Sequence, residues 1–387
     1  MNKQKICIIG GGLTGLITAI SLSRLNCKID LVTGNINENH KNKGTVAVSE
    51  NNLDYINKLN ISKSLKKIAW PCSIMKLYSE NKSRNFFEVL ELNNNKKTKK
   101  ILYMVQNSKL IKLMTNKIKN INCISVKKNG TVSKIFNSGL LKGVRLNNKD
   151  LKYNLVIICT GPHSELVKNV FKNRKIENSY NEASITTTLN HSSLNNNIAR
   201  QLFLNNEILA LLPLSNKETS VVLSIKKDEK NQNLFYIKNK IKSYANNYLK
   251  NIKFKSEIQY KDLNFLIRKK IYKDRTLLFG DALHLIHPFA GQGFNMTIRD
   301  LKSLDEVLTE KINLGFDIGS YDILSKYSKK IKSRNFAFSI GLNFLKSSFS
   351  VKNEYFKSIR NNTIKKINSN GFIKSVFFDI ANKGFRF

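Results

Sequence analysis

Residues 280–295 combine a carboxylate with a glycine turn, and together these could bind a ligand that carries both hydroxyl groups and negative charge. Asp281 follows a short apolar strand predicted at residues 276–279, where its carboxylate can accept hydrogen bonds from ligand hydroxyls. Gly291 and Gly293 leave the backbone bare just before an apolar-periodic helix, so free N–H groups at the start of that helix can face an anion. The run therefore predicts an anion site beside a hydroxyl-binding site.

A second glycine turn stands near the N-terminus. Gly10, Gly12 and Gly15 form a G-x-G-x-x-G pattern between a predicted strand at residues 5–9 and an apolar-periodic helix, and residues 29–32 supply the returning strand. The glycines permit a tight turn, a close approach to a pyrophosphate and close packing of helix on strand. The pattern predicts a dinucleotide-binding βαβ unit, and taken alone it leaves the choice between FAD, NAD and another nucleotide open.

His284 and His287 lie three residues apart, a spacing that two metal ligands could use. No third ligand is close to them, and the sequence has no C-x-x-C pair or Cys/His cluster with zinc spacing. We therefore interpret the two histidines as loop and packing residues and expect no metal.

The chain is strongly basic, with 66 Lys and Arg against 27 Asp and Glu in 387 residues and a formal net charge of +39. Such a charge is typical of proteins that bind nucleic acid or an anionic membrane. The basic residues are spread along the chain, however, and no arginine-rich tract with interleaved aromatic residues marks a nucleic-acid surface. We expect no nucleic-acid partner.

Five cysteines, most of them among apolar residues, indicate reduced thiols in a cytoplasmic protein. The polar residues of the first predicted helix argue against a signal peptide. No apolar run approaches the ~18 residues that a membrane-spanning helix needs. The sequence thus predicts a cytoplasmic protein, with peripheral contact at the inner face of a membrane as the further expectation.

A chain of 387 residues is long enough for two domains. Strand-like segments within residues 69–103 and 183–226 predict a β-sheet domain inserted into the nucleotide-binding domain, and an Asn129-Gly130 pair between apolar segments predicts a hairpin. The predicted division is residues 1–70, 104–180 and 266–335 for the nucleotide-binding domain, 71–103 and 181–265 for the β-rich substrate domain, and 336–387 for a helical C-terminal region.

With the glycines at positions 10, 12 and 15 and the run GDALHLIHPFAGQGFNMTIRD at 280–300, the chain resembles the ubiquinone-biosynthesis hydroxylase family of FAD-dependent aromatic monooxygenases. The segments TVAVS at 45–49 and VQNSKL at 105–110 also look like blocks of that family, in its order. The resemblance implies an α/β fold in which a Rossmann-like FAD-binding domain carries an inserted β-sheet substrate domain, as in aromatic hydroxylases.

The resemblance further implies that FAD lies between two segments that are far apart in the chain. Its implied binding residues are Gly10, Gly12, Gly15, Thr33, Gln106, Asp281, Gly291, Gln292, Gly293 and Asn295. The implied activity is hydroxylation of the aromatic ring of a polyprenyl phenol, with NAD(P)H and dioxygen as co-substrates. A hydrophobic phenolic substrate is expected near residues 209–213 and Pro288, and we treat His287 and Pro288 as candidate catalytic residues.

Three positions depart from the family pattern, and one of them is the arginine usual just before the block at 45–49, where this chain has Lys43 and Gly44. The family usually has an acidic residue at the end of the second strand to hold the adenosine ribose, and this chain has Thr33. It also has Thr160 where the family normally has Asp. The departures at Thr33 and Thr160 keep one alternative open, a non-catalytic, flavin-poor subunit of a membrane-side assembly of ubiquinone-biosynthesis proteins. A further alternative keeps the flavin and makes the protein an FAD-dependent reductase of isoprenoid double bonds.

Residues 336–387 alternate large apolar side chains, such as Phe336, Phe349 and Phe356, with many lysines and arginines. A helix of this composition can lie on an anionic bilayer, which would suit a substrate with a long isoprenoid tail. Packing against the flavin domain or against a partner protein explains the same pattern, and the sequence favours neither.

Overall fold

The structure is a computed structural model that describes residues 3–34, 44–81, 85–93, 100–171, 175–204, 207–228, 233–288, 291–349, 351 and 353–384. Its helices are α1 (Leu13–Leu22), α2 (Glu50–Lys58), α3 (Ser62–Ile68), α4 (Asn107–Lys119), α5 (Glu165–Phe171), α6 (Leu234–Ala245), α7 (Gln292–Asn313), α8 (Tyr321–Phe349), α9 (Glu354–Ser369) and α10 (Gly371–Lys383). Its strands are β1 (Gln4–Ile9), β2 (Cys27–Val32), β3 (Thr45–Ser49), β4 (Trp70–Cys72), β5 (Ile74–Glu80), β6 (Phe86–Asn93), β7 (Leu102–Gln106), β8 (Ile124–Lys127), β9 (Val132–Ser138), β10 (Leu141–Leu146), β11 (Lys149–Tyr153), β12 (Leu155–Ile158), β13 (Lys175–Asn190), β14 (Ile198–Phe203), β15 (Ile208–Pro213), β16 (Glu218–Lys226), β17 (Lys253–Phe254), β18 (Gln259–Arg268), β19 (Tyr272–Lys273), β20 (Thr276–Leu278) and β21 (His284–Leu285).

A mainly parallel sheet forms the centre of the molecule, with strand order β19-β20-β12-β1-β2-β8. Its central strands are apolar along most of their length: the last four residues of β1 and all of β12 are buried. Strands of this kind are buried on both faces, because the crossover helices of a parallel sheet cover it from both sides. Helices α1, α4 and α7 contribute to the same core, so the predicted βαβ unit is confirmed.

A large mixed sheet lies beside this core, with strand order β21-β18-β13-β16-β15-β14-β5-β6 and with β17 paired to β13. Strands from residues 74–93 and from residues 175–268 thus share one sheet, because β5 pairs in parallel with β14. The predicted boundaries at residues 180/181 and 265/266 lie inside β13 and β18. The division of the chain into domains remains a prediction.

The three-stranded sheet β3-β7-β4 packs through β3 against α7. The C-terminal residues are helical, as predicted: α9 and α10 pack on β6, and α10 also contacts α2. As far as the described residues go, none of the helices is long and apolar enough to cross a bilayer. The cysteines all lie in the described part of the chain, and no two of them form a disulfide.

The predicted hairpin at Asn129-Gly130 is wrong. The pair does turn the chain, with Asn129 at φ +52°, but the strands on either side belong to different sheets. β8 pairs in parallel with β2, whereas β9 pairs with β10 in a separate three-stranded sheet. The hairpin turn lies instead at Gly139, which has φ +61° between β9 and β10.

Candidate functional site

The candidate site begins at the carboxyl edge of the parallel sheet. Ile9 is the register partner of both Val32 and Ile158, and Ile158 is the register partner of Leu278, so four neighbouring strands end side by side. Ligands of open α/β sheets bind outside the carboxyl ends of the strands. The residues that follow these strand ends, and so share this edge, are Gly10, Thr33, Thr160 and Asp281.

The glycine turn at residues 10–15 contains glycines with two different functions. A Cβ atom built on Gly15 would lie 1.9 Å from the Gly10 carbonyl oxygen, and one built on Gly10 would lie 2.6 Å from the Cys159 carbonyl oxygen. These two glycines let the helix, the turn and β12 come close together. A Cβ atom on Gly12, by contrast, would have no atom of the described residues within 4 Å apart from its own neighbours in the chain. Gly12 is also the N-cap of α1 and contributes no side-chain cap, which leaves the first N–H groups of that helix available to a ligand.

The turn at Gly280 packs directly on the turn at residues 10–15. Gly280 has φ +62°, a conformation that favours glycine, and a Cβ atom there would lie 2.5 Å from the Thr14 side chain of α1. The next residue, Asp281, is exposed at the carboxyl edge of the sheet. The structure therefore brings two of the predicted site segments together, although they lie far apart in the chain.

The turn at Gly291 starts α7 and is held by the Asn295 side chain. Gly291 caps α7 in the left-handed conformation with φ +63°, and a Cβ atom there would lie 2.8 Å from the Ala47 side chain. Asn295 Nδ2 donates to the Ala47 and Gly291 carbonyl oxygens, at 2.8 and 3.1 Å. Its Oδ1 accepts from Ser49 N at 2.9 Å and from Asn52 Nδ2 at 2.8 Å. The buried amide of Asn295 thus ties the start of α7 to β3 and α2.

Gln106 and Gln292, two further predicted cofactor residues, lie near this turn. Gln106 ends β7, is half-buried, and is the register partner of Thr45 on β3. Gln292 is the first residue of α7, is only 4% exposed, and its Oε1 has no hydrogen-bond partner among the described residues. A buried carbonyl without a partner is costly, which marks Gln292 as a group that a ligand can satisfy.

An apolar cavity of about 550 Å³ reaches from Gln292 to the surface of the C-terminal helices. Its walls come from β5 and β6 of the large sheet, from residues 101–102, and from α8, α9 and α10. Gly341, Phe344 and Thr363 are exposed where they line it, whereas Gln292 and Ser49 are buried. The cavity therefore opens between α8 and α9. Its lining does not include residues 209–213, where the substrate was expected.

The predicted catalytic residue His287 is in a buried charged cluster. Its Nε2 lies 3.3 Å from Glu182 Oε2 and 3.4 Å from Ser224 Oγ, and its ring packs edge-on against Tyr180. Lys346 of α8 donates to Glu182 Oε1 at 2.6 Å. Burial lowers the pKa of His287, and the Glu182 carboxylate offsets only part of that effect. Burial favours protonation of Glu182, but its bonds to His287 and Lys346 outweigh burial and lower its pKa.

His284 and Pro288 do not join this cluster. Pro288 is exposed, next to residues 289–290, which lie outside the described part of the chain. His284 Nε2 lies 2.9 Å from Asp300 Oδ2, which also accepts from Asn335 Nδ2 at 2.7 Å. The two histidines thus have separate partners, and among the described residues no group of three or more His, Cys, Asp and Glu could hold a metal.

Sequence reasoning missed Glu182 and Lys346, because nothing near them in the sequence signals that they meet His287. It also missed the part that Ala47, Ser49 and Asn52 play in holding α7. The 45–49 segment was recognised as a family block, and its contact with Asn295 gives a physical reason for that block.

The comparisons with known proteins agree with this geometry. The family described as FAD binding domain matches residues 3–334. The chain belongs to this family. The predicted enzyme class, an FAD-dependent monooxygenase, is thereby confirmed at the level of the family.

Individual relatives agree with the resemblance found in the sequence. The mitochondrial ubiquinone biosynthesis monooxygenase COQ6 of Dictyostelium discoideum is 22% identical over 460 residues, which cover 98% of this chain and 91% of that protein. The ubiquinone hydroxylase UbiM of Neisseria meningitidis is 25% identical over 233 residues, which cover 59% of this chain and 50% of that protein. Both belong to the group of proteins that the sequence motifs predicted.

Among solved structures, Klebsiella pneumoniae HpxO complexed with FAD and uric acid has the same fold. The TM-score is 0.78 at 14% sequence identity, and the match covers 98% of this chain and 97% of that one. The predicted fold class, a Rossmann-like FAD-binding domain with an inserted β-sheet domain, is confirmed.

The residues of the site fit FAD on three observations. As far as the described residues go, the Cβ positions of Gly12 and Gly293 meet open space, so the backbone at both can be approached closely. Thr33 is buried at the end of β2, and its Oγ1 has no partner among the described residues. Thr160 Oγ1, at the end of β12, is likewise without a described partner. These groups can bind the hydroxyls and phosphates of a dinucleotide.

Proposed function

We propose that this chain uses FAD, NAD(P)H and dioxygen to hydroxylate the aromatic ring of a phenol with an apolar polyprenyl chain, a step of ubiquinone biosynthesis. The observation that carries the proposal is the apolar cavity of about 550 Å³ that ends at Gln292, the first residue of α7. A cavity of this size suits a single small molecule, and its lining suits an apolar one. The names of COQ6 and UbiM supply the reaction class.

In this proposal Gly12 and Thr33 would hold the adenosine and pyrophosphate end of FAD, Gly10 and Gly15 allow the close packing that shapes this turn, and Asp281 would accept hydrogen bonds from the ribityl chain. The start of α7, from Gly291 to Asn295, lies beside the flavin ring. When bound, FAD would supply the redox chemistry by taking electrons from NAD(P)H and passing them to dioxygen.

The chain's own contribution is to place and shield the reactants. The free N–H groups at the start of α7 stabilise negative charge beside them by up to about 2 kcal/mol in a partly buried setting. The side chain of Asn295 keeps that helix start in position through its bonds to Ala47 and Ser49. The apolar walls of β5, β6 and α8 keep water away from the bound phenol.

Product analysis in labelled dioxygen tests the proposal. The purified chain is incubated with FAD, NAD(P)H and a short-chain prenyl phenol, and the product is examined by mass spectrometry. We expect a product with one labelled oxygen atom on the ring. A product with a saturated double bond and no label would instead identify an isoprenoid reductase. A colourless protein that ignores added FAD would identify a non-catalytic subunit.

We also propose that the cavity mouth faces an anionic membrane surface. Phe344 lines the cavity and is 74% exposed, and Tyr355, Phe356 and Ile359 of α9 are exposed close to it in the chain. Exposed apolar side chains on a chain of net charge +39 suit peripheral binding to anionic lipid. The protein would then be peripheral at the inner face of the membrane, where other ubiquinone-biosynthesis proteins could contact it.

Co-sedimentation with anionic liposomes tests the membrane proposal. The double variant Phe344→Glu/Phe356→Glu is expected to bind less than the wild type, because two carboxylates would enter the interface. Leu140→Glu is the matched control, since Leu140 is exposed on the turn between β9 and β10 and does not line the cavity. Equal sedimentation of the wild type and the double variant would contradict membrane contact at this mouth.

A further inference from the structure

The cavity contains few polar side chains, and they differ in whether the protein itself supplies their hydrogen-bond partners. Among its described lining residues, the polar side chains are Ser49, Gln292, Ser348, Arg360, Thr363 and Asn382. Five of the six have a hydrogen-bond partner in the protein, whereas the Gln292 amide oxygen has none among the described residues: Ser49 Oγ bonds with Asn382 O, Ser348 Oγ with Leu345 O, Arg360 with Ser79 Oγ and Ser348 O, Thr363 Oγ1 with Ile359 O, and Asn382 Oδ1 with Asn51 N. The polar groups with such partners already form hydrogen bonds within the protein.

Gln292 stands apart from them. It is 4% exposed, and its amide oxygen has no partner among the described residues. A buried amide oxygen left without a partner costs about 1–3 kcal/mol, so a ligand that satisfies it gains affinity. Gln292 is also the first residue of α7, at the inner end of the cavity next to the proposed flavin position.

We propose that the Gln292 amide recognises the ring hydroxyl of the substrate and thereby fixes which ring carbon faces the flavin. An amide both accepts and donates hydrogen bonds, and a phenolic hydroxyl does the same, so the two groups match. This inference rests on the proposed function and adds a specificity residue to it.

The apolar remainder of the cavity then determines the substrate's direction. With the hydroxyl held at the buried end by Gln292, an alkyl chain attached to the ring runs along Leu77, Leu90 and Phe349 towards Phe344 at the mouth. The recognised class is therefore a phenol with one long apolar substituent. A ligand of the same shape without the hydroxyl would fill the same space and leave the amide of Gln292 unsatisfied.

A ligand pair isolates this hydrogen bond. The FAD-loaded full chain is titrated with para-heptylphenol and para-heptyltoluene, in which a methyl group replaces the hydroxyl, and the dissociation constants are measured by calorimetry. The variants are Gln292→Met, which keeps length and apolar contacts, and Ser348→Ala as a control, because Ser348 lines the cavity but has a protein partner. For each ligand, the dissociation constant of the variant is divided by that of the wild type. Comparing the two quotients cancels the difference in hydrophobicity between the ligands.

We expect Gln292→Met to weaken the phenol about three- to tenfold relative to the toluene, as the loss of one buried hydrogen bond predicts. Ser348→Ala is expected to leave the affinity for the phenol relative to that for the toluene unchanged. If both ligands bind the wild type and Gln292→Met changes both equally, the role of Gln292 is overturned while the cavity remains a substrate site. If neither ligand binds the FAD-loaded wild type, the proposed function and this inference fail together.

Discussion

At the scale of single residues, the G-x-G-x-x-G turn contains positions with opposite functions. Gly15 is a packing glycine, because a Cβ atom there would collide with the Gly10 carbonyl oxygen at 1.9 Å. Gly12 faces open space, so the protein itself does not require a glycine at that position. The motif alone does not distinguish these two cases, and the structure does.

Gly15→Ala is expected to lower the free energy of unfolding by about 3 kcal/mol, because a backbone atom cannot move aside as a flexible side chain can. Gly34→Ala is the control, since a Cβ atom on Gly34 meets no atom within 4 Å in the part of the chain that the structure describes. Its effect is expected to stay within about 0.5 kcal/mol. Urea unfolding of the FAD-free proteins measures both values. A Gly15→Ala protein as stable as the control would contradict the packing role.

Thr33→Val is expected to weaken FAD binding about three- to tenfold without lowering the stability of the FAD-free chain. The buried Oγ1 of Thr33 has no described protein partner, so its removal costs the fold nothing, whereas a ribose hydroxyl would lose one hydrogen bond. Fluorescence titration with FAD gives the affinity, and thermal unfolding gives the stability. Unchanged affinity would show that Thr33 does not contact the cofactor.

The site residues named from the sequence remain predictions, and the sequence could not show how their side chains are paired. The family resemblance implied that Gln292 and Asn295 are both cofactor residues. It could not show that Asn295 is fully paired while the Gln292 carbonyl is not, because the partners Ala47 and Ser49 lie far away in the chain. Local pattern gives position, and only tertiary contacts give the role.

At the scale of elements, a buried charge cluster joins α8 to the large sheet. Lys346 of α8 bonds to Glu182 of β13, and Glu182 in turn lies against His287 in the loop before α7. His287 and Lys346 both stabilise the Glu182 carboxylate, whereas Lys346 opposes a positive charge on His287, and burial makes the cluster sensitive to protonation. The loop that leads into the site is thereby coupled to the position of α8.

Acid is expected to destabilise the wild type more than His287→Gln. The pKa of His287 in the folded protein lies below its ordinary value of 6.5, so between these two values the unfolded chain binds a proton that the folded chain does not. The contribution of the neutral His287 to the free energy of unfolding is therefore fully present above pH 6.5, and it is lost as the pH falls through the lowered pKa. The loss amounts to at most about 1.4 kcal/mol per pH unit.

Urea unfolding at about pH 7 and about pH 5 measures this difference. The lowered pKa of Glu182 acts in the same direction only below its ordinary value of 4.5, outside that interval. His163→Gln is the control, because its ring is half-exposed. If the His287→Gln protein lost as much stability on acidification as the wild type, the buried histidine would not be the sensitive group.

The elements themselves were largely predictable, since strand and helix periods are local properties of the sequence. Strand pairing was not, as the Asn129-Gly130 pair demonstrates. That pair correctly predicted a turn, but β8 had a better partner in β2 than in β9, and the choice depends on burial in the parallel sheet. A turn signal fixes the direction of the chain and leaves the partner strand undetermined.

At the scale of the whole molecule, the C-terminal helices form one wall of the apolar cavity. The sequence left open whether residues 336–387 pack on the protein or lie on a membrane. The buried residues Phe349 and Ile364 pack against the sheet residues Met75 and Leu77, while Phe344 is exposed at the mouth. The same helices thus have a packed face and an exposed apolar face, and an amphipathic sequence pattern cannot separate the two.

The central claim is that two glycine turns, far apart in the sequence, bind the two ends of one FAD molecule. Titration of FAD into the wild type, Gly12→Val and Gly293→Val tests it most directly, because neither Cβ position meets a described residue and we expect the fold to tolerate both changes. We expect one FAD per wild-type chain, and for each variant a large loss of affinity with unchanged thermal stability of the FAD-free protein. Either variant binding FAD as tightly as the wild type would contradict the claim.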